Sequence, residues 1–133
     1  MTGALEEIMK FNLNNLRLGF MNIHGQSGLT EAKQAQIESF ILQHKLDILN
    51  LQEINIDSES FKNCSLISSS YNIIPNNAIS KYGTASIVRS ELIPENITFD
   101  FEGRIIVFNN GHLTVGNVYF PWSHQIKKRK LFL

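Results

Sequence analysis

Glu53 is the residue of this chain whose type and place most suggest chemistry. It ends the stretch Lys45–Asn55, KLDILNLQEIN, in which Leu46, Ile48, Leu49 and Leu51 leave no room for a polar face. Such a run reads as a strand buried on both sides, as in a parallel sheet covered by helices. A carboxylate placed where a buried strand runs out is costly unless something pairs with it, and open α/β sheets bind their ligands at the carboxyl ends of strands. Glu53 is therefore expected to be a metal ligand.

The elements before it must bring it a neighbour. In Leu16–Ile23 (LRLGFMNI), Leu16, Leu18 and Phe20 share one face and Asn22 continues it, so this is a strand ending in an amide. His24–Gly28 is a turn-rich loop, and Thr30 with Glu31 starts a helix with an acidic first turn. Through Glu31–His44, the residues Ile37, Phe40, Ile41 and His44 make one apolar face. Strand, helix and strand over Leu16–Glu53 form a βαβ unit with parallel strands, whose carboxyl ends share a rim. Asn22 and Glu53 then stand side by side.

After Asn55, the polar stretch Ile56–Ser70 has loop composition. Five short β runs follow: Tyr71–Pro75, Gly83–Arg89, Ile97–Phe101, Ile105–Phe108 and Leu113–Tyr119. Asn109-Asn110-Gly111 is a turn signal of the kind that joins antiparallel strands. The second half is thus expected to add antiparallel strands to the sheet begun by the first. The fold class is α/β (α+β), a mixed sheet with a βαβ start. The expected organisation is a lead-in over 1–15, one domain over 16–123 and a basic tail over 124–133.

Composition narrows the function. Of 133 residues, 12 are basic and 12 acidic, so no overall charge favours nucleic acid. The local exception is Lys127-Lys128-Arg129-Lys130, a weak candidate for phosphate contact and more commonly just a solvated face. Cys64 is the sole cysteine, which excludes an internal disulfide. No basic-then-apolar leader and no membrane-length apolar run occurs, and the two glycosylation-type triplets, at Asn63 and Asn96, read as accidental. The expectation is a soluble protein of the nucleus or cytoplasm, not secreted and not in a membrane.

Four motifs in order carry a resemblance: Asn22-Ile23-His24-Gly25, Leu51-Gln52-Glu53, the strand Tyr82–Val88, and Val118-Tyr119-Phe120-Pro121. Together they resemble the endonuclease/exonuclease/phosphatase superfamily, and within it the apurinic-type endonuclease domain of LINE-like retrotransposons. The resemblance implies a metal-dependent phosphodiesterase on a four-layered α/β sandwich, with DNA as substrate and partner and Mg²⁺ (or Mn²⁺) as cofactor. It implies that Glu53 holds the metal, that Asn22 helps hold the carboxylate and phosphate, and that Tyr119 contacts the scissile phosphate. One carboxylate can anchor Mg²⁺, which keeps waters and substrate oxygens as its other ligands. His24 departs from the asparagine common at its place and is not expected to be a ligand. His44 belongs to the apolar helix face, and His112 and His124 fall in loops without a carboxylate partner.

The resemblance covers only the first half of such a domain. The family's later Gly-Asp-x-Asn and Ser-Asp-His motifs have no counterpart, and the aspartates Asp47, Asp57 and Asp100 stand in other contexts. The chain alone is therefore expected to bind Mg²⁺ weakly and to cut DNA poorly or not at all. A sheet face including Ile87, Ile106, Val115 and Val118 is expected to lie open, inviting a missing C-terminal half or self-association. Two alternatives remain: a non-catalytic module binding nucleic acid or a partner, and a fragment of a superfamily phosphatase acting on another phosphoester.

Overall fold

The computed structural model describes residues 16–25, 28–79 and 82–120. Its elements are β1 (Leu18–Asn22), α1 (Glu31–His44), β2 (Ile48–Ile54), α2 (Ser65–Ser70), β3 (Tyr71–Asn76), β4 (Gly83–Arg89), β5 (Glu95–Phe99), β6 (Ile105–Asn110) and β7 (Leu113–Val118). The lead-in over 1–15 and the basic tail, with Lys127, Lys128, Arg129 and Lys130, lie outside the described residues.

The βαβ start forms as its sequence dictates. The Thr30 side chain accepts a hydrogen bond from the Lys33 N–H and caps α1, while Glu31 sits favourably in the first turn. Lys45 ends the helix in the left-handed region (φ 51°), its N–H turned back to the carbonyls of Ile41 and Leu42. Ile37 and Ile41 are buried, so the helix lies on the sheet through the face its spacing set. β1 pairs parallel with β2, and the register places Asn22 opposite Gln52, one residue before Glu53.

Two sheets follow, and here the fold departs from expectation. The first has the order β1-β2-β4-β3, with β4 antiparallel to both β2 and β3. The strands β5, β6 and β7 do not join it; they form a separate antiparallel sheet. β6 and β7 are joined by a tight turn in which Gly111 takes a positive φ of 61°. The stretch expected to be all loop, Ile56–Ser70, contains the short helix α2. β2 starts and ends later than the apolar run suggested, reaching Ile54.

Both faces of the first sheet are covered along β2 and β4, while Leu18 and Phe20 of the edge strand β1 stay exposed. Ile37, Ile41, Leu49, Leu51, Ile67 and Ile87 make the core against the helices. Ile48, Ile74, Val88, Leu92, Ile106, Phe108 and Val115 make the core between the sheets. The expected open face is thereby corrected: Ile87, Ile106 and Val115 are buried, and of that set Val118 alone is exposed. The physical reason is that this chain supplies three strands of the second sheet itself. Each buried Ile or Leu contributes about 1.5–3 kcal/mol relative to exposure.

Candidate active site

Glu53 occupies a β-bulge. Gln52 pairs with Thr84 and Ile54 with Gly83, so two residues of β2 span one step of β4, and Glu53 is the extra one, at φ 56°. Alternation explains what this achieves. Ile48 faces the second sheet, and so do Asn50 and Gln52, whose side chains bond to Gly116 and Asn117 of β7. Two residues after Gln52, however, Ile54 lies in the core on the helix side. The bulge reverses the parity of the strand and turns the Glu53 carboxylate toward the end of β7.

There it meets Tyr119, whose hydroxyl donates to Glu53 Oε1 at 2.5 Å. On the other side His24 Nδ1 stands 3.7 Å from Glu53 Oε2. The Glu53 side chain keeps 25% exposure, which leaves it open to a ligand. His24 and Gly25 both have positive φ, 62° and 44°, and a Cβ on Gly25 would stand 2.3 Å from the Tyr82 ring. Gly25 thus lets Tyr82 close over the loop that carries His24. Asn22 Oδ1 accepts the His24 N–H at 2.8 Å, so what Asn22 can still offer a ligand is its Nδ2 donors.

A buried amide network holds β7 against β2 beneath this rim. Asn117 Nδ2 donates to the carbonyls of Leu51 (3.2 Å) and Ala85 (2.9 Å), and its Oδ1 accepts from Gln52 Nε2 at 2.9 Å. The Ser86 hydroxyl donates to Asn50 Oδ1 at 2.7 Å, and Asn50 Nδ2 donates to the Gly116 carbonyl. Asn50, Ser86 and Asn117 are all buried, so each lost bond would leave a costly unpaired group. Tyr119 follows Asn117 by two residues and inherits its place from it.

Burial, then the bond to Glu53, then that carboxylate's charge push the Tyr119 phenol up to about 12 from its ordinary 10. It is a neutral donor across the physiological range. The donor set suits Mg²⁺ as an anchor: one accessible carboxylate, part of which is shared with a phenol, leaving the remaining positions to water and phosphate oxygens. Among the described residues no three His, Cys, Asp or Glu side chains converge to make a fuller cage.

The three candidates Asn22, Glu53 and Tyr119 thus gather at one rim. His24, set aside on sequence grounds, lies next to Glu53, while His44 packs beside Phe40 with ring centroids 4.6 Å apart. His112 is exposed in the turn after β6, and His124 lies outside the described residues. Sequence reasoning missed Asn50, Ser86 and Asn117. The signal available was an amide or hydroxyl flanked by apolar residues in each of three strands, where a buried polar residue must find partners.

No protein-family model and no curated protein sequence matches the chain. Solved structures do. A 3′ phosphatase, NExo, from Neisseria, bound to a product DNA hairpin, superposes with a TM-score of 0.65 at 19% identity, covering 87% of this chain and 48% of that one. This chain shares its fold. An AP endonuclease from Archaeoglobus fulgidus gives 0.64 at 19% identity, over 87% of this chain and 46% of that one. Truncated TDP2 from Caenorhabditis elegans gives 0.58 at 19% identity, over 85% and 49%. At these identities the likeness is one of fold, and the chain spans about half the length of each. No helix among the described residues is long and apolar enough to cross a membrane.

Proposed function

We propose that this chain is the metal-anchoring part of a phosphodiesterase of the endonuclease/exonuclease/phosphatase superfamily, of the retrotransposon endonuclease type, with DNA as substrate. The observation that carries the reading is the Glu53–Tyr119 pair, set by a bulge at the rim of a fold shared with enzymes that process DNA. Glu53 would hold Mg²⁺ (or Mn²⁺), and the bound ion would supply positive charge to a phosphoryl oxygen. Tyr119, kept neutral, spends its one proton on Glu53 Oε1 and so orients the carboxylate, while the Nδ2 donors of Asn22 would supply a hydrogen bond to the phosphoryl oxygen. His24 flanks the carboxylate from the solvent side.

Alone the chain binds the ion weakly and cuts DNA poorly or not at all, because one carboxylate anchors a metal without also activating a water. Two measurements on purified protein test this. Mn²⁺ is expected to broaden the nuclear resonances of residues around Glu53, and Glu53→Ala to abolish the effect. Broadening elsewhere, or unchanged broadening in the variant, would overturn the assignment of Glu53. In a plasmid-nicking assay with Mg²⁺ little or no nicking is expected. Robust nicking lost in Glu53→Ala would keep the phosphodiesterase reading and overturn the inactivity.

A further inference from the structure

The fold gives His24 a neighbour that its sequence context did not. Glu53 Oε1 accepts from the Tyr119 hydroxyl, so Oε2 is the oxygen left for a ligand, and His24 Nδ1 stands 3.7 Å from it. That separation exceeds the roughly 2.7–3.2 Å of a nitrogen–oxygen hydrogen bond, so the two atoms face each other with their lone pairs unused. The gap is held from both sides. The Ile23 N–H donates to the Gln52 carbonyl at 2.9 Å, which fastens together the residues that immediately precede His24 and Glu53. Beyond them the His24 N–H is tied to Asn22 Oδ1 at 2.8 Å, Tyr82 packs on Gly25, and Glu53 is fixed in its bulge. The side chains of His24 and Glu53 keep 76% and 25% exposure, so the gap opens to solvent.

We infer that His24 and Glu53 together hold a divalent ion of the zinc or cobalt class, bound through imidazole and carboxylate in preference to Mg²⁺. Spacing argues for this. Two ligand atoms about 2.1 Å from one ion lie about 3.0 Å apart at an octahedral right angle and about 3.4 Å apart at a tetrahedral angle. The 3.7 Å found here is nearer the tetrahedral value. Donor type argues the same way, because Mg²⁺ keeps to oxygen ligands whereas imidazole suits zinc and the later first-row ions. No third His, Cys, Asp or Glu joins the pair among the described residues. Two protein ligands are fewer than the three usual in a catalytic zinc site, so the ion exchanges readily and its other positions stay open to water or phosphoryl oxygens. The inference rests on the reading of Glu53 as a metal ligand and adds which ion the site selects.

Titration of the full chain with Zn²⁺, followed by long-range proton–nitrogen spectra of the histidine rings and by backbone amide spectra, tests it. The His24 ring nitrogens and the Glu53 amide are expected to shift together with one affinity, while Mg²⁺ moves the Glu53 amide alone. His24→Asn should weaken Zn²⁺ binding at least about tenfold and leave Mg²⁺ binding within about twofold. Glu53→Ala should abolish the His24 shift. Both variants should keep the wild-type β4 amide pattern, which reports an intact fold. A Glu53 amide that answers Zn²⁺ while the His24 ring does not, or Zn²⁺ affinity unchanged in His24→Asn, would overturn the inference and leave Glu53 as a ligand. A His24 shift that survives Glu53→Ala, or larger shifts at His44, His112 or His124, would also overturn it. Silence of both residues toward both ions would remove this inference and the Glu53 assignment together.

Discussion

Glu53 serves the site at the expense of the strand. A non-glycine residue in the left-handed region costs roughly 1–2 kcal/mol, and Glu53 sits there at φ 56°. Glu53→Gly should relieve that cost and Glu53→Ala should not, although both lose the carboxylate. Urea unfolding should therefore place Glu53→Gly above Glu53→Ala by about 1 kcal/mol; equal stabilities would show that the bulge carries no strain. Tyr119 reports the other side of the pair. Its phenol titrates at about 12 because of burial first and Glu53 second, so Glu53→Gln should bring the midpoint down but not all the way to 10. Absorbance of phenolate, taken as the difference from Tyr119→Phe, measures it. The linkage follows in sign: between 10 and about 12 the folded chain keeps a proton that the unfolded chain has lost, so stability falls as pH rises through that window. Tyr119→Phe should flatten this fall. Sequence put Glu53 at the end of β2, and the structure has it in a bulge one residue before the strand's last, Ile54; the bulge and its left-handed φ were not legible, since glutamate carries no preference for them.

At the scale of elements, β7 is held to β2 by amides more than by side-chain apolar contact. Asn117 is the hub, with two carbonyls and one amide depending on it. Asn117→Leu, similar in volume, leaves them unpaired at roughly 1–3 kcal/mol for each buried group. The variant should unfold at lower urea and also show a lower Tyr119 midpoint, as β7 loosens from β2 and Tyr119 from Glu53. A stability loss with the midpoint unmoved would mean that Asn117 supports the core and not the site. Backbone approach sets a second constraint. A Cβ on Gly83 would stand 2.0 Å from the Asn76 carbonyl oxygen across β3 and β4, so Gly83→Ala should destabilise strongly, visible as a lowered melting temperature. The helix α1 and the strand β4 were legible to the residue: one has a capping threonine and a consistent apolar face, the other an unbroken β-forming run between Gly83 and Arg89. α2 was not, because Ser65–Ser70 offers four serines and helical order there comes from elsewhere: the Glu38 carboxylate accepts from the Leu66 and Ile67 N–H groups.

For the whole molecule, the division into two sheets was the part that sequence concealed. Five β runs with similar turns give no sign of which neighbour each takes, and β5, exposed along its whole length, lacks any alternation that would aim it. What joins the layers is β2, which sends Ile48 into the core between the sheets and Leu49 and Leu51 into the core under the helices. A strand buried on both faces cannot lose one core without disturbing the other, so the three layers should unfold as one unit. Phe108, fully buried between the sheets, provides the test. Phe108→Ala should cost about 3–5 kcal/mol, a large fraction of the roughly 5–15 kcal/mol typical of a domain. The loss should appear equally in the helical circular dichroism, which reads α1 on the far side of the first sheet, and in the amide protection of β6. If the helical signal instead kept its wild-type midpoint while β6 lost protection, the second sheet would be an appendage to an independent βαβ core. The Glu53–Tyr119 pair, which bridges the two sheets, would then open long before the chain unfolds.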